Sequence, residues 1–143
     1  MIKKLLILSL LVSSLFAQVD LRTATLYKAD INSQRAYNMQ QKGALLVDIR
    51  TKREFADSHA KGSINIPLFY AKNGQRVVNQ QFIIQMRELM QNKLEQNLIL
   101  ICRSGSRTKL GANVLAQNGF TNVFNIKEGF QYDWIKVNLP VEK

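Results

Sequence analysis

The run Leu98–Ile101 constrains the fold of this 143-residue chain more than any other stretch, because all four of its residues are apolar. A strand that faces water on one side alternates apolar and polar residues, whereas a strand covered on both faces is apolar throughout. Helix-compatible segments separate this run from two other predicted short strands, residues 44–49 and 122–126. This alternation predicts a single α/β domain with a mainly parallel central sheet and helices on both faces.

Local signals place the remaining elements. Apolar spacing, caps and stops predict helices over residues 32–41, from 79 to about 94, and from about 107 or 108 to 118. Thr51 and Glu54 match a capping box that opens a further short helix. Asn73-Gly74 predicts a hairpin over residues 68–78, which either shapes access to the site or is a surface ornament, and we favour the second. Residues 58–67 are predicted to be a loop.

Residues 1–17 have the organisation of a secretory signal peptide. Lys3 and Lys4 precede an apolar run, and small residues lead to Ala17. An uncleaved membrane anchor is the alternative, but the run is shorter than the roughly 20 residues that a spanning helix needs. We therefore expect cleavage, a periplasmic protein without stable membrane insertion, and one mature domain over residues 18–143 with its core at about 30–135.

The charge balance indicates the kind of partner. The chain has twenty Lys and Arg residues and ten Asp and Glu residues, which gives a formal net charge of +10. The basic residues are spread along the chain, whereas nucleic-acid-binding arms are blocks of like charge. We therefore expect small anionic substrates rather than nucleic acid.

Cys102 is the only cysteine, and it directly follows the apolar run. A buried, inert thiol is the common fate of such a residue. Here, however, the loop 102–106 joins a strand to a helix, so backbone N–H groups can converge on the sulfur. The helix dipole, Arg103 and Arg107 add positive potential, which favours the reactive thiolate over the thiol. Gly105 permits a backbone turn that a side chain would obstruct.

The spacing in this loop separates two families. Protein phosphatases place five residues between the cysteine and the arginine of such a loop, whereas four residues separate Cys102 from Arg107. The tighter ring suits a single sulfur atom better than a phosphate. The loop resembles the active-site loop of rhodanese-type sulfurtransferases, and further similar segments lie at residues 47–55, 58–59, 62–67, 118–123 and 129–134. The last segment departs from the family pattern, because Glu128 replaces a usual glycine and the interval from Gly129 to Trp134 is one residue longer.

The resemblance implies a rhodanese-like fold and a sulfurtransferase reaction. Sulfane sulfur would pass from thiosulfate, a persulfide or a polysulfide, through a persulfide on the catalytic Cys102, to a thiol, cyanide or a protein cysteine. The implied substrate-binding residues are Arg103, Ser104, Gly105, Ser106 and Arg107. No cofactor is expected, and a lone histidine with a lone cysteine does not supply the three or four ligands of a zinc site.

Two alternatives remain beside the enzyme. A rhodanese-like module can carry sulfur or bind proteins without turnover, and the short loop argues against a cysteine phosphatase or arsenate reductase. The resemblance also implies structural roles for His59 and for an ion pair between Asp48 and Arg50. We assign Glu54 to the capping box, and Tyr132 is a candidate for the mouth of the pocket.

Overall fold

Five parallel strands form the central sheet in a computed structural model that describes residues 18–143. They are β1 (Ala29–Ile31), β2 (Leu45–Asp48), β4 (Ile64–Asn65), β7 (Leu98–Ile101) and β8 (Val123–Ile126). The strand order is β1-β8-β7-β2-β4, so the all-apolar β7 lies at the centre and all four of its residues are buried. The predicted signal peptide lies outside the described residues.

Helices cover both faces of the sheet. The helices α3 (Phe82–Leu89) and α4 (Ser106–Gln117) lie over the face that receives Leu98 and Leu100. The other face receives Ile99 and Ile101, which pack with residues of α1 (Ser33–Gln41) and of a π-helix (Phe130–Trp134). Successive strand residues point to opposite faces, which explains why β7 has no polar position. The predicted fold class is confirmed.

The remaining elements are short. They are α2 (Lys52–Asp57), β3 (His59–Ala60), the hairpin strands β5 (Phe69–Lys72) and β6 (Gln75–Val78), and β9 (Val141–Glu142). Asn73 and Gly74 both have positive φ, at +52° and +74°, as a two-residue hairpin turn requires. The capping box is also present, because the Thr51 hydroxyl accepts from the Glu54 N–H while the Glu54 carboxylate accepts from the Thr51 N–H.

Some predicted boundaries were wrong. The helix predicted from Asn79 to about Leu94 is only Phe82–Leu89, because Gln91 and Asn92 adopt left-handed backbone angles that end it. The N-cap position is Gln81 rather than Asn79, although Asn79 Oδ1 accepts from the Gln81 N–H at 3.0 Å while the Asn79 amide donates to Pro67 O. The predicted loop 58–67 contains β3 and β4, which are two residues each and too short for alternation to reveal.

The chain N-terminal to β1 packs along α4. The Asn113 side chain donates to the carbonyls of Leu21 and Ala24 and accepts from the Leu26 N–H. Tyr27 is buried in the core beside this segment. Within residues 18–143, no helix has the length and apolar character needed to span a bilayer.

Candidate functional site

Cys102 directly follows the central strand, at the carboxyl edge of the sheet where α/β folds place their sites. Its side chain is fully buried. The Gly105 N–H donates to Cys102 Sγ over 3.1 Å, and Thr108 Oγ1 lies 3.4 Å from the same sulfur. The sulfur is therefore held between the turn of the loop and the first turn of α4.

The Thr108 hydroxyl can serve either protonation state of the sulfur. Its hydroxyl donates to Gly105 O at 3.0 Å, which leaves its oxygen able to accept from a thiol. When the sulfur is a thiolate, the same hydroxyl can rotate and donate to it instead. Sequence reasoning missed Thr108, and its position in the first turn of the helix after the cysteine is the signal that could have found it.

The loop closes only because residue 105 is glycine. Gly105 has φ +89° and is the N-cap of α4. A Cβ at this position would lie 1.8 Å from Lys127 O, the carbonyl that follows β8. The backbone angle and the close approach each exclude a side chain, so the turn can bring its N–H to the sulfur only with glycine here.

The start of α4 offers further donors. The first N–H groups of a helix have no acceptor within the helix. Among residues 18–143, no protein acceptor is found for the backbone N–H groups of Ser104, Ser106 and Arg107. Ser104 and Ser106 are exposed. Together with the positive end of the helix dipole, these donors form a site suited to an anion.

Arg107 does not point toward the surface. Its guanidinium is buried and makes two 2.8 Å hydrogen bonds to the carboxylate of Glu54, which lies in α2. The hydrogen bond from Arg107 lowers the pKa of Glu54 to about 2, although partial burial opposes the shift. The same pairing raises the pKa of Arg107, although partial burial opposes the shift. Glu54 therefore has a second role that the capping box alone did not reveal.

Arg103 is the exposed cation of the loop. Its Nε donates to Gln131 Oε1 at 2.6 Å, and its guanidinium lies 5.9 Å from the centre of the Tyr132 ring. A cavity of about 310 Å³ opens beside it, with Arg50 and Phe130 among its walls. Tyr132, the predicted mouth residue, thus contacts a loop residue at the surface.

Residues 129–134, the last of the segments that resemble the family, support the loop through main-chain hydrogen bonds. The Phe130 N–H donates to Cys102 O at 2.8 Å, and the Gln131 N–H donates to Arg103 O at 3.1 Å. Gly129 has φ +72°, and a Cβ there would lie 2.6 Å from both carbonyl oxygens. The longer interval noted in the sequence coincides with the π-helix, whose hydrogen bond runs from Ile135 N–H to Phe130 O.

Two neighbouring polar groups serve the scaffold. Arg50 pairs with the buried Asp48 through contacts of 2.7–3.0 Å and donates to Ser58 O. The His59 ring faces Phe55 O through Nδ1, at 2.8 Å, and Glu142 through Nε2, at 3.3 Å. Both nitrogens of His59 therefore contact acceptors that join β3 to α2 and to β9.

Comparison with known proteins shows which family this chain resembles in sequence. Residues 32–135 match the model of the rhodanese-like domain family. The chain is 34% identical over 113 residues to the thiosulfate sulfurtransferase GlpE of Haemophilus influenzae, which covers 79% of this chain and 93% of that protein. It is 33% identical to the thiosulfate sulfurtransferase GlpE of Vibrio cholerae, with coverage of 79% and 92%.

Solved structures share the fold. The Rv0390 protein of M. tuberculosis superposes with a TM-score of 0.65 at 24% identity, covering 81% of this chain and 98% of that chain. A rhodanese-related protein from Thermoplasma volcanium superposes with a TM-score of 0.54 at 25% identity, covering 80% and 98%.

Proposed function

Because this chain belongs to the rhodanese-like domain family, we propose that it is a sulfurtransferase that carries sulfur on Cys102. The observation that carries the proposal is the contact between Cys102 Sγ and the Gly105 N–H at the start of α4. The reaction class is supported at the level of the family and of the thiosulfate sulfurtransferase relatives. The candidate donors come from those relatives and from the resemblance of the loop, and the roles of individual residues are inferred from the contacts of this chain.

In the first step, the Cys102 thiolate attacks the outer sulfur of an anionic donor such as thiosulfate, a persulfide or a polysulfide. With thiosulfate, a new S–S bond forms to Cys102, the bond between the two donor sulfurs breaks, and sulfite leaves with that electron pair. Cys102 then holds a persulfide anion. Backbone N–H groups at the start of α4 stabilise the negative charge on its terminal sulfur.

In the second step, a thiolate, cyanide or a protein cysteine attacks the terminal sulfur. The new bond forms to the acceptor, the persulfide S–S bond breaks, and Cys102 recovers its electron pair as a thiolate. Thr108 can donate its hydroxyl to that thiolate because the two atoms already lie 3.4 Å apart.

The two loop arginines have different tasks in this proposal. Arg103 is exposed and attracts the anionic donor to the mouth of the site. Arg107 is paired with Glu54, so it mainly fixes the start of α4 while adding positive potential near Cys102. The donor-binding role inferred for Arg107 from the sequence thus becomes an indirect one.

The test is mass spectrometry of the intact protein after incubation with thiosulfate or polysulfide, followed by a thiocyanate assay with cyanide. We expect one added sulfur atom on Cys102, thiocyanate release over many turnovers, and loss of both in Cys102→Ser. An adduct without turnover would instead identify a sulfur carrier. Hydrolysis of a chromogenic phosphate ester without a sulfur adduct would overturn the proposal in favour of a phosphatase.

We also propose that residues 1–17 direct the chain to the periplasm and are removed there. The support is the sequence of basic residues, an apolar run and small residues. N-terminal sequencing of the protein from a periplasmic fraction should begin near residue 18. A full-length chain retained in the membrane fraction would contradict this.

A further inference from the structure

The π-helix is anchored at both of its ends and exposed in its middle. Phe130 and Trp134 are buried, and the indole N–H of Trp134 donates to Pro140 O. Asp133 accepts from the Ser33 N–H at the start of α1. Gln131 and Tyr132, between these anchors, remain exposed and face Arg103. Each hydrogen bond of a π-helix spans five residues, one more than in an α-helix, and π-helices often occur at functional sites.

Gln131 and Arg103 are joined twice. The Gln131 N–H donates to Arg103 O at 3.1 Å, and Gln131 Oε1 accepts from Arg103 Nε at 2.6 Å. The first bond fixes the backbone of Arg103, and the second fixes the plane of its guanidinium. One terminal nitrogen of that plane lies 3.5 Å from the Tyr132 hydroxyl, to which it donates a long hydrogen bond. The other terminal N–H groups remain available for a ligand, because Arg carries five donors.

The two loop arginines have partners of different charge. Glu54 is a carboxylate and compensates the charge of Arg107, whereas Gln131 is neutral and orients Arg103 without compensating its charge. The cavity beside Arg103 also has the carboxylates of Glu54 and Asp57 in its walls, but Glu54 is paired with Arg107 and neither carboxylate forms an ion pair with Arg103 in residues 18–143. An oriented cation without a carboxylate partner of its own is a recognition group for an anion.

We propose that Gln131 is a positioning residue that raises the affinity of the site for small anionic sulfur donors by holding the Arg103 guanidinium in place. This inference rests on the proposed sulfurtransferase function. Tyr132 limits the motion of the same guanidinium from the side of its ring.

The experiment measures kcat/KM for thiosulfate in Arg103→Ala, Gln131→Ala, the double variant and Gln131→Glu, with cyanide as acceptor. Arg103→Ala should lower kcat/KM about tenfold and Gln131→Ala about three- to fivefold, with kcat nearly unchanged. The double variant should match Arg103→Ala, because Gln131 acts only through Arg103. Gln131→Glu should keep Arg103 in place but compensate its charge, and so should be at least as impaired as Gln131→Ala.

Two matched controls are available in exposed positions. Gln117→Ala removes a glutamine side chain at the end of α4, and Arg76→Ala removes one positive charge from the hairpin. Both should keep the wild-type kcat/KM. The differences among the Arg103 and Gln131 variants should shrink at high ionic strength, because salt screens an exposed charge. A merely structural role for Gln131 would not produce this dependence.

A measurement of thiosulfate binding distinguishes a failure of this inference from a failure of the proposed sulfurtransferase function. Thiosulfate binding can be measured by calorimetry in the Cys102→Ser background, where no turnover occurs. Weaker binding after Gln131→Ala supports the inference even if the wild type shows no transfer. Equal thiosulfate affinity with and without Gln131, or additive losses in the double variant, would overturn it.

Discussion

Replacing Glu54 with glutamine removes the charge that faces Arg107 while preserving the size of the side chain. In the folded protein the pKa of Glu54 is about 2, compared with 4.5 for the free side chain. Each pKa unit corresponds to 1.36 kcal/mol, so the shift corresponds to at most about 3 kcal/mol. The Glu54 side chain is 31% exposed, and solvent screening reduces the expected loss in Glu54→Gln to about 1–2 kcal/mol.

Urea denaturation followed by circular dichroism measures this difference. With a typical dependence of about 1–3 kcal/mol per molar urea, the midpoint at pH 7 should fall by roughly 1 M. Because folding lowers the pKa of Glu54, its contribution is fully present above pH 4.5 and is lost as the pH falls toward 2. The difference between wild type and variant should therefore shrink to less than half of its pH 7 value by about pH 3.

Glu95→Gln is the matched control, since Glu95 is exposed and the variant loses the same charge. It should unfold at nearly the wild-type midpoint. A Glu54→Gln midpoint equal to wild type at pH 7, or a difference that does not change between pH 7 and pH 3, would refute the assignment of this stability to the ion pair.

Three further predictions concern the loop and its support. Gly105→Ala should lower sulfur transfer at least a hundredfold, because its Cβ overlaps Lys127 O. Gly43→Ala is the matched control: Gly43 has φ +101° but open space around it, so this variant should lose only about 1–2 kcal/mol of unfolding free energy. Turnover rates and urea midpoints of the two variants test this difference. Thr108→Val should lower kcat about tenfold by removing one hydrogen bond to the sulfur, and Thr108→Ser should restore it, as steady-state kinetics will show. His59→Gln should lower the urea midpoint and leave kcat/KM for thiosulfate near wild type, because both ring nitrogens contact scaffold acceptors; a large loss of kcat/KM in a folded variant would indicate a catalytic role instead.

The fold was predictable where local patterns and tertiary packing agree. The apolar run 98–101, the capping box at Thr51 and the Asn73-Gly74 turn each specify their structure over a few residues, and all three are present. The end of α3 was not predictable, because the methionine spacing continues past the point where Gln91 and Asn92 turn left-handed. Strands of two or three residues, such as β1 and β9, carry too few positions for a pattern to appear.

For the candidate site, too, local features were predictable from the sequence and long-range contacts were not. The position of Cys102 and the need for Gly105 follow from neighbouring residues in the sequence. The partners of the two arginines do not, because Glu54 lies 53 residues before Arg107 and Gln131 lies 28 residues after Arg103. Side chains that meet across such distances depend on how α2 and the π-helix pack, and no local spacing records that.

Main-chain contacts fix the position of the loop that carries Cys102. Gly105 touches the carbonyl of residue 127, and Gly129 touches those of residues 102 and 103, so two glycines define how closely three segments approach. A library that varies the loop residues but keeps Gly105 and Gly129 should therefore leave the position of the loop unchanged. Diversification of donor preference, whether by selection or by design, would then be concentrated at the entrance, on Arg103 and the residues that face it.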